Sequence, residues 1–184
     1  MKPWPVLLAM SLLLLGGCLD TFEHPVPGAQ AAPKALLGQW RSKDAWGEPL
    51  TLTISQAKGN AYQAVARAKG KPARTYRFSV AQHANRWYVS GPAPEAAGQG
   101  FVIGGFELNA EQQLLLYSLD PEQLRQAVEQ HALSGRSAAP SDEDDASGPA
   151  LHIDSPAAQV MSYLDDPANS DVFVEAARFQ RVRP

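Results

Sequence analysis

The strongest constraint on how this chain folds is an alternation of apolar and polar side chains at period two, which persists in short runs from Leu36 to Leu119. Leu50, Leu52 and Ile54 alternate with Thr51 and Thr53, and Tyr76, Phe78 and Val80 alternate with Arg77 and Ser79. Successive side chains of a strand point to opposite faces, so each run describes a strand with one face buried. Gly, Pro, Asn or Lys separate the runs. The spacing predicts seven strands, near 37–42, 50–55, 61–68, 74–82, 86–90, 100–108 and 113–118. Such a series forms an antiparallel meander that curls into a sandwich or a barrel.

The remainder of the chain adds two helices and a closing strand. Asp120 is placed to cap a helix that has Pro121 in its first turn, and Gly135 to stop it. Leu124, Ala127, Val128, His131 and Ala132 share one face of that helix, which packs it on the sheet. Residues 137–149 are small, polar and acidic, with four consecutive acids at 142–145, and read as a disordered loop. A second helix, capped at Ser155 and Pro156, buries Val160, Met161 and Leu164 before Pro167 ends it. Residues 172–182 form a last strand that pairs with the sheet and closes it. At 45% apolar and 19% charged residues, 184 residues suit one globular domain and exclude a collagen, a coiled coil or a wholly disordered chain. Residues 35–119 carry nine basic and five acidic side chains, residues 120–184 five basic and twelve acidic. Neither half has the charge of a nucleic-acid binder.

The first 17 residues carry one charge, Lys2, and an apolar run from Val6 to Leu15. That run is too short for the roughly 20 residues that span a bilayer core as a helix. Leu15-Gly16-Gly17-Cys18 follows directly. This resembles a bacterial lipobox, the cleavage signal of type II signal peptides. The resemblance implies removal of residues 1–17 and a diacylglycerol on Cys18, the one cysteine of the chain. Two or three acyl chains on one residue hold a protein firmly to a membrane. With the thiol consumed by lipid, no disulfide can form. Leu19 directly after the cysteine implies transit to the outer membrane. Residues 18–34 contain Pro25, Pro27 and Pro33, which exclude a helix and a sheet strand. They read as a lipidated tether of roughly 50 Å, at about 3.1 Å per extended residue, below a single β-rich domain at 35–184.

Gly38-Gln39-Trp40 opens the first strand and is similar to the G-x-W motif of lipocalins. In that family the tryptophan closes the base of an eight-stranded barrel whose cup holds a small apolar ligand. A helix after the barrel packs on its wall, and the family carries a late arginine. Arg136, Arg178 and Arg181 are candidates for that arginine by position; the family's T-D-Y triplet is missing. The fold class expected is therefore mainly β with two short helices, an antiparallel meander forming a curled sheet or lipocalin-like barrel. Trp40, Trp46, Tyr62, Tyr76, Phe78, Trp87, Tyr88, Phe101 and Phe106 either fill its core or line a ligand cavity, with Trp40, Tyr76, Phe78 and Trp87 as candidate ligand or core residues.

No set of residues points to catalysis. His152-Ile153-Asp154-Ser155 holds the side chains of a hydrolytic triad, but neighbours in sequence cannot adopt triad geometry and Ser155 is better used as a helix cap. His24, His83, His131 and His152 are too scattered for a zinc site. Glu143, Asp145, Ser147, Gly148 and Asp154 occupy positions of a calcium-loop frame, but Pro140 and Pro149 argue against its flanking helices. Gly98, Gly100, Gly104 and Gly105 miss the spacing of a phosphate-binding loop and suit bulges or bends in a curved sheet. Arg67, Lys69, Lys71, Arg74 and Arg77 surround a Gly70-Lys71-Pro72 turn, where they serve as a solvated tip, a guarded edge, or a contact for anionic headgroups or an acidic partner. The reading as a whole is a non-enzymatic outer-membrane lipoprotein, facing the periplasm, without cofactor or metal, whose β domain binds an envelope protein partner. The alternative is a lipocalin-like carrier of a small apolar ligand.

Overall fold

A computed structural model describes residues 19–43, 49–137 and 150–182. In chain order its strands are β1 (Thr21–Phe22), β2 (Gly38–Lys43), β3 (Pro49–Gln56), β4 (Ala61–Ala68), β5 (Arg74–His83), β6 (Arg86–Pro92), β7 (Phe101–Leu108), β8 (Gln113–Leu119), β9 (Gly135–Ser137), β10 (Leu151–Ile153) and β11 (Phe173–Arg181). The helices are α1 (Pro121–Glu129) and α2 (Ala157–Asp165). β2 through β8 pair antiparallel in sequence order, and β11 inserts between β8 and β2. Among the described residues, eight strands thus close into an antiparallel barrel, and closure leaves them no free edge. All seven strands expected from the alternation are present, and the last strand does close the sheet.

The two faces of the barrel wall feed two cores. Inward-pointing Trp40, Leu52, Ile54, Tyr62, Val80, Phe106, Leu114 and Phe179 form the interior cluster. Their strand neighbours Ala81, Tyr88, Ile103 and Leu119 point outward and are covered by α1, α2 and the short strands. Leu124 and Ala127 of α1 and Val160, Met161 and Leu164 of α2 are buried there, as their spacing requires. The Tyr88 hydroxyl donates to Asp165 at 2.7 Å. Burial, then that bond to a carboxylate, pushes its ionisation upward.

Several local expectations are corrected. Asp120 caps α1 by accepting from Glu122 and Gln123, with Pro121 in the first turn, but the helix stops at Gln130 and His131 adopts φ 61°. Gly135 instead belongs to β9, where a Cβ would come within 2.8 Å of the His152 carbonyl. Ser155 does not cap α2. Its buried Oγ accepts from Ser134 N at 2.6 Å, tying the second helix to the segment after the first. The pair β9 and β10 flanks the acidic segment; residues 138–149 lie outside the described residues.

The larger correction concerns residues 19–34, which are not a free tether. Thr21 and Phe22 form β1, parallel to β10 and paired at Phe22 with Phe101 of β7. Phe22 and Val26 are buried, at 2% and 5% exposure. The chain then crosses the barrel wall, with Val26 N donating to Ser90 Oγ, Gln30 N to Val80 O and Ala32 N to the Tyr62 hydroxyl. Prolines exclude a helix but not an extended arm whose backbone is satisfied by the surface it lies on.

Docking this arm buries a carboxyl. Asp20 Oδ1 accepts from Leu151 N at 2.8 Å, while its buried Oδ2 has no partner among the described residues. Burial raises Asp20 to about 6 from the ordinary 3.8, against smaller lowering by the Leu151 amide and Arg125. The docked arm therefore favours the protonated acid. This contribution to stability is fully present below the unfolded value and is lost as pH rises through about 6. Asp20→Asn, neutral throughout, is expected to raise the free energy of unfolding by about 1–2 kcal/mol at neutral pH and to change it little near pH 4. Urea unfolding at both pH values checks this.

Candidate functional site

The barrel has two unlike ends. Short turns at 57–60, 84–85 and 109–112 lie at one end, together with a single 3-10 turn, Lys34–Leu36, which precedes β2. Trp40 projects into this end, 1% exposed, and donates from Nε1 to Leu36 O at 2.9 Å. Arg181 pairs with Trp40 across β11 and β2 and sets its guanidinium 5.2 Å from the ring centroid. It donates to Ala35 O at 2.5 Å and to Leu37 O at 2.9 Å. Gly38 has φ 125°, and a Cβ there would stand 3.2 Å from Arg181 Nη2, so the glycine serves both the backbone conformation and the approach of the arginine. The Gly38-Gln39-Trp40 motif thus closes the base. Of the three arginines eligible by position, Arg181 meets the tryptophan. Arg178 pairs with Glu175 at 2.8 Å, and Arg136 lies 3.9 Å from Asp154.

Above this base the interior is packed, with Val80, Phe106, Leu114 and Phe179 each at most 2% exposed. Toward the other end the inward positions change character. Ser42, Ala66, Gly91, Gly104, Ser118 and Ala177 are small, and Tyr76, Phe78, Val102 and Leu116 are only half-buried. Val174 pairs with Ser118 on the inward face of β11 and β8 and is 42% exposed. Leu50, opposite Ser42 and Ala68 at the same end, is the buried exception at 4% exposure. At the end that carries the β4–β5 turn and the β6–β7 connection, these inward residues are thus smaller and less buried than those of the base. Arg74, opposite Ala66 on the inward parity, stands at the rim of this end. A glycine is required at 104, where a Cβ would fall 2.7 Å from Tyr117 O; β7 keeps an unbroken register with β6 through Gly104 and Gly105, so the glycines serve close approach and not the bulge expected from sequence.

The candidate ligand or core residues therefore divide. Trp40 belongs to the base. Trp87 stacks on Phe106 with centroids 5.6 Å apart in the lower interior, and Phe78 leans on Tyr62 at 5.8 Å. Tyr76 is the member nearest the start of β5 at the other end. Arg67, Lys69, Lys71 and Arg74 are exposed around the β4–β5 turn on the same rim, and Arg77 is exposed lower on the same hairpin. Cys18 and Trp46 lie outside the described residues, as do Glu143, Asp145, Ser147 and Gly148.

The histidine that sequence placed beside Asp154 and Ser155 has other partners. His152 Nε2 lies 2.9 Å from Glu23 Oε2, and its Nδ1 lies 2.8 Å from Thr21 Oγ1. A carboxylate only accepts, so Nε2 carries hydrogen, and in the neutral ring Nδ1 accepts from Thr21. Thr21 is 3% exposed, so this relay fastens the N-terminal arm and does not present a nucleophile. No grouping of three or more His, Cys, Asp or Glu suited to a metal occurs among the described residues. An open groove of roughly 340 Å³ beside the helices is lined by Val128, His131, Leu133, Ser134, Gly135 and Gln159. Its lining mixes polar and apolar side chains.

Comparison with protein-family models, with curated proteins and with solved structures finds no significant match to this chain.

Proposed function

We infer that the protein is a carrier: a barrel lipid-anchored at Cys18 to the outer membrane, facing the periplasm, that holds one small apolar ligand in the end of its interior opposite Trp40. The observation that carries this reading is the change of side-chain size along the interior. Trp40 and Arg181 close the base, while the inward residues toward the other end are mostly smaller and Val174 is 42% exposed. A barrel selected only for stability would fill that layer, since each unfilled methyl-sized space costs on the order of 1 kcal/mol. Arg74 at the rim suits a ligand with an acidic head and an apolar tail, so fatty acids are the first class to test.

The test is a titration of the chain from Leu19 onward with a fluorescent fatty acid. Saturable binding at one site per chain is expected. Ala66→Phe fills the proposed site from a half-buried position without touching the base, and is expected to weaken binding by more than about tenfold, the equivalent of about 1.4 kcal/mol, while the far-ultraviolet circular dichroism is unchanged. Binding that survives Ala66→Phe would place the ligand elsewhere. Absence of saturable binding across apolar ligands, with an envelope protein retained by the anchored form, would replace the carrier by a protein-binding module.

A further inference from the structure

We propose that the barrel end opposite Trp40 rests on an anionic lipid surface, with the β4–β5 hairpin as its electrostatic contact. The proposal depends on the reading of Cys18 as the lipid anchor. Its first support is the docked arm. Asp20 is bonded to Leu151, Thr21 to His152, and Phe22 is paired with Phe101, the first residue of β7. Cys18 is two residues from Asp20, and two residues of chain reach at most roughly 7 Å. The acyl chains are therefore held close to the barrel, whereas a free segment as far as Lys34 would let it stand tens of ångströms away.

The second support is that the arm and the basic hairpin share one end. β7 starts there at Phe101, β4 ends there at Ala68, and β5 departs there from Arg74, two strands along from β7. Arg67, Lys69, Lys71 and Arg74 lie at or next to this tip, and Arg77, opposite Gln63, sits lower on the same hairpin. Each charge at the tip gains about 1 kcal/mol near an anionic membrane, within a Debye length of about 8 Å at physiological salt. The pinned anchor brings the rim within that range. The closed end, with Lys34 and Lys58, faces away from the membrane, and the proposed ligand end faces the phase in which an apolar ligand dissolves.

Lysine acylation tests the orientation, because the two ends carry separate reporters. The full-length lipidated protein is bound to the outside of vesicles of phosphatidylcholine, or of phosphatidylcholine and phosphatidylglycerol in equal parts. It is treated with an acetylating ester, and modification is read by peptide mass spectrometry. On anionic vesicles Lys69 and Lys71 are expected to react about tenfold more slowly than on neutral ones, with Lys34 and Lys58 unchanged, and high salt should remove the difference. Equal rates at both ends, protection of Lys34 and Lys58 instead, or protection of the hairpin that is indifferent to lipid charge would overturn the proposal. An intact mass without diacylglycerol overturns the anchor reading and this orientation together, whereas a lipidated protein with any of those rate patterns overturns the orientation alone.

Discussion

Replacing Trp40 by alanine is expected to cost about 3–5 kcal/mol of folding free energy, the range for removing a fully buried aromatic side chain. The indole is 1% exposed, so its removal leaves a cavity that neighbouring strands of a closed barrel cannot collapse to fill. It also deprives Leu36 O of its donor and the Arg181 guanidinium of its ring. Urea unfolding with an unchanged slope reads the loss as stability. If the base is built as described, Arg181→Met should be non-additive with Trp40→Ala by about 0.5–3 kcal/mol, because each removes the other's partner.

Phe22→Ala is expected to have a loss of the same order, about 3–5 kcal/mol, although the residue lies only four positions beyond Cys18. Phe22 is 2% exposed and joins Val26, Ile153, Ile103 and Leu124 in the outer core. Were residues 19–34 a solvated leash, the same substitution would stay within about 0.5 kcal/mol, as surface changes do. Thermal or urea unfolding of the two proteins therefore distinguishes a docked arm from a tether with a margin far above measurement error.

The barrel wall was legible because a strand of six or more residues records its two faces as alternation, and Leu50-Thr51-Leu52-Thr53-Ile54 can be read in only one way. The arm was not legible, because a strand of two residues has no period and because Pro25, Pro27 and Pro33 speak against regular structure without speaking against an extended chain laid on a surface. Gly135 was misassigned for a related reason: a glycine stops a helix and also admits the close backbone approach that β9 needs, and sequence does not distinguish the two. Ser155 and His152 found their partners, Ser134 and the Thr21–Glu23 pair, at separations of 21 and about 130 residues that no local motif encodes. The change of side-chain size along the interior was the least visible feature. Parity tells that Ala66, Gly104, Ser118 and Ala177 point inward, but that they gather at one end of the interior depends on the register of the closed sheet, and Arg181 is likewise singled out from three arginines only by the pairing of β11 with β2.

On the carrier reading, the upper interior of the barrel is the ligand site. Methyl nuclear magnetic resonance during titration with an unlabelled saturated fatty acid tests it most directly, because reporters lie at both depths. Ala66, Val102, Leu116, Val174 and Ala177 are expected to shift together and saturate at one ligand per chain, while Leu36, Val80 and Leu114 toward the base stay still. Shifts that never saturate, or that fall on Val128 and Leu133 in the outer groove while the inward residues are silent, would contradict it.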